Sequence, residues 1–124
     1  MMTSEVEESF SNNLYLLHAR IKYDKNDLPG AQDIISKYCN TNDQDVKVLE
    51  ASIAFKQGKY EAAREMLIET INAGGYHPHI AYNTALCYFM MKQYLMALKS
   101  IEDIQDKATK DFQGLVITSS HYIC

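Results

Sequence analysis

Apolar residues recur along this chain with the period of α-helices. From Leu14 to Tyr23 they occupy nearly every helical position, and from Val46 onward they fall at Val46, Leu49, Ile53 and Phe55, with Ala51 and Ala54 between. Ala63, Met66, Leu67 and Ile71 then form one stripe at helical spacing. Turn-forming pairs interrupt the pattern at Asn26-Asp27, at Gly58-Lys59 and, with a weaker signal, at Lys92-Gln93. Asn42 or Asp43 can cap a helix, and Gly74-Gly75 can stop one. Pro78 suits a first helical position, where its missing N–H would have had no partner. The pattern predicts helices joined by short turns, without strands.

The helices also repeat. "FKQGKYEAA", starting at Phe55, returns as "FMMKQYLMA" thirty-four residues later. Ala51 aligns with Ala85, Phe55 with Phe89, Tyr60 with Tyr94, Ala63 with Ala97 and Leu67 with Ile101, all at that spacing. A looser copy stands thirty-two residues upstream in Ala19, Tyr23, Leu28, Ala31 and Ile35. Helix, turn and helix at this period match the tetratricopeptide repeat. The expected fold is therefore all-α, a short right-handed solenoid of about three stacked hairpins.

The pairs Ala19/Ala31, Ala51/Ala63 and Ala85/Ala97 are expected where the helices of each hairpin cross. Methyl groups there let two axes approach to about 8–10 Å. The match to the repeat is partial. The chain has no Trp, Ala replaces the first helix's Gly, and the closing Pro is missing; Tyr15, Lys47 and Ala81 stand where Trp is common. Residues 1–11 read as a flexible acidic lead, 12–107 as hairpins at 12–41, 42–75 and 76–107, and 108–124 as an irregular tail.

Composition narrows the function. The 124 residues are 47% hydrophobic and 23% charged, as in a globular domain, with a net charge of −4. Lys and Arg are scattered rather than clustered, which argues against nucleic acid as a partner. No apolar run reaches the roughly 20 residues that span a bilayer, so no membrane insertion is expected, and no secretory signal is visible. Cys39, Cys87 and Cys124 are odd in number and far apart, which suits a reducing compartment. A soluble intracellular chain is expected.

If the first helix of each hairpin lines a concave groove, that groove shows Leu16, Leu17 and Tyr23, then Val48, Leu49 and Phe55, then Tyr82, Asn83, Leu86 and Phe89. Such an apolar, aromatic lining suits an extended apolar or proline-rich peptide. Packing inside the hairpins is the commoner use of aromatics such as Tyr23, Phe55 and Phe89. A second reading is a chaperone-adaptor clamp for a charged peptide tail. That clamp wants Asn where Leu17 and Leu49 stand, and Asn83 alone fits it.

Catalysis finds little support, and neither a cofactor nor a metal is expected. His77 and His79 flank a proline and supply at most two ligands of a zinc site. Glu61 and Glu65 form an exposed like-charge pair, and Met90, Met91 and Met96 read as adaptable filler. No phosphate loop, nucleophile elbow or prenylation signal is present.

Three segments carry a more specific resemblance: "IKYDKNDLPGAQDII", "KQGKYEAAREMLIETINAGGYHP" and "YNTALCYFMMKQYLMALKSIEDI". In order and interval they resemble the tetratricopeptide repeat protein 30 family, also called intraflagellar transport 70, from about Asn12 to Lys107. The resemblance implies a non-catalytic, all-helical adaptor of the intraflagellar transport B complex, with the other subunits of that complex as partners. It also implies a place in the cilium or flagellum and the cytoplasm, and roles in anterograde transport, cilium assembly and tubulin polyglutamylation. Family members carry many more repeats, and "GLVITSSHYIC" from Gly114 departs from them. The expectation is a truncated copy or an incomplete gene model. Such a piece should be a marginal monomer with adhesive open ends, steadied by a partner.

Overall fold

A computed structural model describes residues 4–111, and among these residues all regular secondary structure is helical. The six helices are α1 (Ser4–Asp24), α2 (Leu28–Tyr38), α3 (Gln44–Lys56), α4 (Tyr60–Gly74), α5 (Pro78–Met90) and α6 (Tyr94–Asp111). Each odd-numbered helix pairs with the next to make a hairpin, and α4 lies along α5 so that the second and third hairpins interlock. The first hairpin meets the second more lightly, where α2 and α1 touch α3. The all-α, stacked-hairpin expectation holds.

All three hairpins turn in the same way. Asn26 N–H donates to the Tyr23 carbonyl at 2.9 Å and Asp27 N–H to Lys22 at 2.8 Å. The pattern recurs as Gly58 to Phe55 at 3.0 Å with Lys59 to Ala54 at 2.9 Å, and as Lys92 to Phe89 with Gln93 to Tyr88, both at 2.9 Å. These are Schellman caps, which satisfy the last carbonyls of the first helix and need a left-handed residue at their centre. Asn26, Gly58 and Lys92 fill that place, with φ of 64°, 80° and 62°. Asn and Gly take it readily; Lys does not.

The core follows the repeat. One cluster joins Ala19, Tyr23, Ala31 and Ile35 of the first hairpin to Val46, Leu49 and Ile53 of α3. A second joins Ala51, Ala54, Ala63 and Leu67 to Ile80 and Cys87 of α5. All six repeated alanines are at most 6% exposed. Three hydroxyls in the core bond within their own helices: Ser52 donates to the Val48 carbonyl at 2.9 Å, Thr70 to Met66 at 2.6 Å and Thr84 to Ile80 at 2.9 Å.

The ends differ from expectation. Residues 4–11, expected to be a flexible lead, are the first two turns of α1. Glu5 and Glu7 lie in its first turn, where a carboxylate favours the unpaired N–H groups, and Val6 and Phe10 extend the apolar spacing of Leu14. At the other end α6 continues through Asp111, four residues into the expected irregular tail; the remainder of that tail, including the segment from Gly114, lies outside the described residues.

Candidate partner-binding surface

The residues expected to line a groove divide into three groups. Tyr23, Leu49 and Asn83 are buried. Tyr23 and Leu49 belong to the first core cluster, and the Tyr23 hydroxyl bonds Ser52 of α3. Tyr23 and Leu49 are covered where the first hairpin packs on α3. Leu16 packs against the first cluster, Val48 and Phe55 pack against the second, and Tyr82 and Leu86 are half-buried. Leu17 and Phe89 alone among the ten are open, at 58% and 54% exposure.

Phe89 shows why it is open. In the second hairpin Phe55 meets Tyr60 edge-on, with ring centroids 5.0 Å apart, and Met91 of the third hairpin packs against the same cluster. The third hairpin repeats the pair as Phe89 and Tyr94 at 5.9 Å, but both rings are exposed. The same aromatic bracket is thus covered by a neighbouring hairpin in one unit and bare in the next. Leu95, Leu98 and Ile101 continue the bare surface along α6. At the opposite end α1 carries a second one, Val6, Phe10, Leu14, Leu17 and Ile21. Leu17 and Phe89 thus belong to two exposed apolar surfaces, one at each end of the described stack.

Polar contacts tie the units together. Asn12, buried on α1, accepts from the Asn40 N–H at 2.6 Å and donates to Asp43 at 3.1 Å, while Asp43 caps α3 through the Asp45 N–H at 2.8 Å. Three cations sit over tyrosine rings: Lys56 over Tyr23 at 4.0 Å, Arg64 over Tyr88 at 5.7 Å and Lys107 over Tyr76 at 4.8 Å. The first two join neighbouring hairpins and the third ties α6 to the turn before α5, a structural use of the cation–π attraction. Sequence reasoning missed the Asn12 clip, since no local spacing announces a bond across twenty-eight residues.

Burial shifts three of the titratable side chains near the hairpin contacts, those of Cys87, Cys39 and Glu50. Burial pushes the Cys87 thiol up to about 11, against a partial lowering by Arg64, so its nucleophilic thiolate is scarce at neutral pH. Burial also raises Cys39, with Asp43 and Glu50 adding to the rise, and raises Glu50 against the pull of Lys47. His77 and His79 have ring centroids 5.6 Å apart, and among the described residues no three His, Cys, Asp or Glu converge as metal ligands. No described helix is long and apolar enough to cross a membrane.

Known proteins are similar to this sequence. The chain is 33% identical over 116 residues to intraflagellar transport protein 70B of Rattus norvegicus, covering 86% of this chain and 18% of that protein. It is 32% identical over 116 residues to intraflagellar transport protein 70A of Homo sapiens, covering 86% and 17%. With protein 70A of Danio rerio the identity is 36% over 101 residues, covering 82% and 15%. No protein-family model matches the chain. The chain is therefore related to the intraflagellar transport 70 family over most of its own length, and it spans less than a fifth of the length of the curated relatives it matches.

Proposed function

We propose that this chain is a non-catalytic protein-binding scaffold that works with subunits of the intraflagellar transport B complex in the cilium or flagellum. The observation that carries this reading is the alignment of nearly the whole hairpin array with proteins named for intraflagellar transport. The chemistry agrees with it: burial holds the Cys87 thiol neutral, while large apolar side chains stand exposed at both ends of the stack. Anterograde transport, cilium assembly and tubulin polyglutamylation are the processes such a scaffold would serve. An extended apolar or proline-rich partner segment would lie against Leu17 at one end or Phe89 at the other, the two most exposed of the residues expected to line the groove. The charged-tail clamp gains no support, since Asn83, its one fitting residue, is buried.

The test is co-purification of the tagged full chain from ciliated cells, with a full-length relative as the positive control. Transport subunits should accompany both, and the captured complex should persist through a salt series because apolar contacts are little screened. Loss of those subunits from this chain alone, while the relative retains them, overturns the proposal.

A further inference from the structure

The exposed face of α1 is patterned end to end. Val6, Phe10, Leu14, Leu17 and Ile21 lie four, four, three and four residues apart and are 46% to 58% exposed. They form one stripe about 22 Å long, on the side of the helix away from Ala19 and Tyr23, which face the core. The stripe reads almost the same from either end. Val6 and Ile21 stand equally far from its middle, as do Phe10 and Leu17, and Leu14 falls beside the midpoint. Charge, by contrast, is uneven: Glu5, Glu7 and Glu8 occupy the start of the helix, whereas at its end and in the turn after it Arg20, Lys22 and Lys25 outnumber Asp24 and Asp27, the last of which pairs with Lys22 at 3.9 Å.

We propose that this face of α1 is a self-association surface, on which a second copy of the chain docks by pairing its own α1 antiparallel to the first. A two-fold axis beside Leu14 lays Val6 against Ile21 of the other copy and Phe10 against its Leu17, so a single patch is its own complement. The same operation brings each acidic start level with the basic end of the other helix and opposes the two helix dipoles. A parallel pairing would set like charge against like.

The competing occupant, the bare α6 face of another copy in a head-to-tail stack, fits less well. Packed antiparallel, as α4 and α5 are, it would bring Glu5, Glu7 and Glu8 beside Glu102, Asp103 and Asp106, with Lys107 offsetting only part of that charge. A single helix pair is a small interface, so the dimer should form reversibly with concentration. This inference does not depend on the proposed place in transport.

Sedimentation velocity of the full chain over a wide concentration range tests it. A monomer–dimer equilibrium is expected, and Phe10→Asp should weaken it by about tenfold or more with helicity unchanged, since Phe10 is exposed in the monomer. A second pair of variants tests the pairing sense without touching the stripe. Glu5→Lys with Glu7→Lys and Glu8→Lys in one chain, and Arg20→Glu with Lys25→Glu in another, should each dimerise poorly alone and pair with each other when mixed. A chain that stays monomeric, a dimer indifferent to Phe10→Asp, charge variants that fail to pair when mixed, or open-ended oligomers broken by Leu98→Asp would each overturn the proposal.

Discussion

Lys92→Gly should make the protein more stable although it removes a side chain and adds no contact. Lys92 stands at the left-handed centre of the third hairpin turn with φ of 62°, the place held by Gly58 at 80° in the second. A residue with a Cβ in that conformation costs about 1–2 kcal/mol. Glycine removes the cost but has more freedom to lose on folding, about 0.4–1 kcal/mol. The net gain is about 0.5–1 kcal/mol, worth roughly 2–6 °C in melting temperature for a chain of this size. The reverse experiment is Gly58→Ala. A Cβ there meets nothing within 4 Å, so its cost comes from backbone strain without any clash, about 0.5–1 kcal/mol by the same difference. Thermal melts followed by helical circular dichroism, with urea midpoints as a second probe, read both changes. If Lys92→Gly lowers the midpoint, or if Gly58→Ala leaves it untouched, the turns are not the repeated caps described above.

Two further outcomes rest on the core. Ala63→Leu should cost about 1–3 kcal/mol by overfilling the crossing with Ala51, whereas Ala73→Leu, at an exposed position of α4, should stay within about 0.5 kcal/mol; urea unfolding of both variants checks this. Burial raises the Cys87 thiol from its ordinary value of 9.0 to about 11, so the stability tied to the neutral thiol is full below pH 9 and is lost as pH rises through about 11. Urea midpoints between those pH values should fall more steeply in the parent than in Cys87→Ala, and a thiol reagent at pH 8 should label half-buried Cys39 before Cys87.

The hairpins were legible because the same small set of residues solves the same steric problem three times. Ala19, Ala51 and Ala85 recur where the axes pass closely, and Asn26 and Gly58 advertise a left-handed turn by residue type. Lys92 gives no such sign; its turn shows only through its register with the other two. The groove was harder to read because α3 is buried around most of its circumference: Val46, Leu49, Ala51, Ser52, Ile53 and Ala54 all lie inside. Periodicity assigns a face when one side is wet, and a helix packed on several sides offers no contrast. Leu49 and Asn83 therefore read as lining and proved to be core.

The first helix shows the complementary difficulty. Leu14 to Tyr23 is apolar at nearly every position because α1 serves two surfaces at once, Ala19 and Tyr23 turned inward and Leu14, Leu17 and Ile21 turned out. Its opening turns were obscured by Glu5, Glu7 and Glu8, whose charge resembles that of a solvated end. The spacing of Val6 and Phe10 ahead of Leu14 was the available signal, since a flexible lead has no reason to keep helical period. Charge and periodicity disagreed there, and periodicity was right because carboxylates at a helix start are favoured by its unpaired N–H groups. An acidic segment that keeps a four-residue apolar beat is thus better read as a helix whose partner face lies beyond its own hairpin.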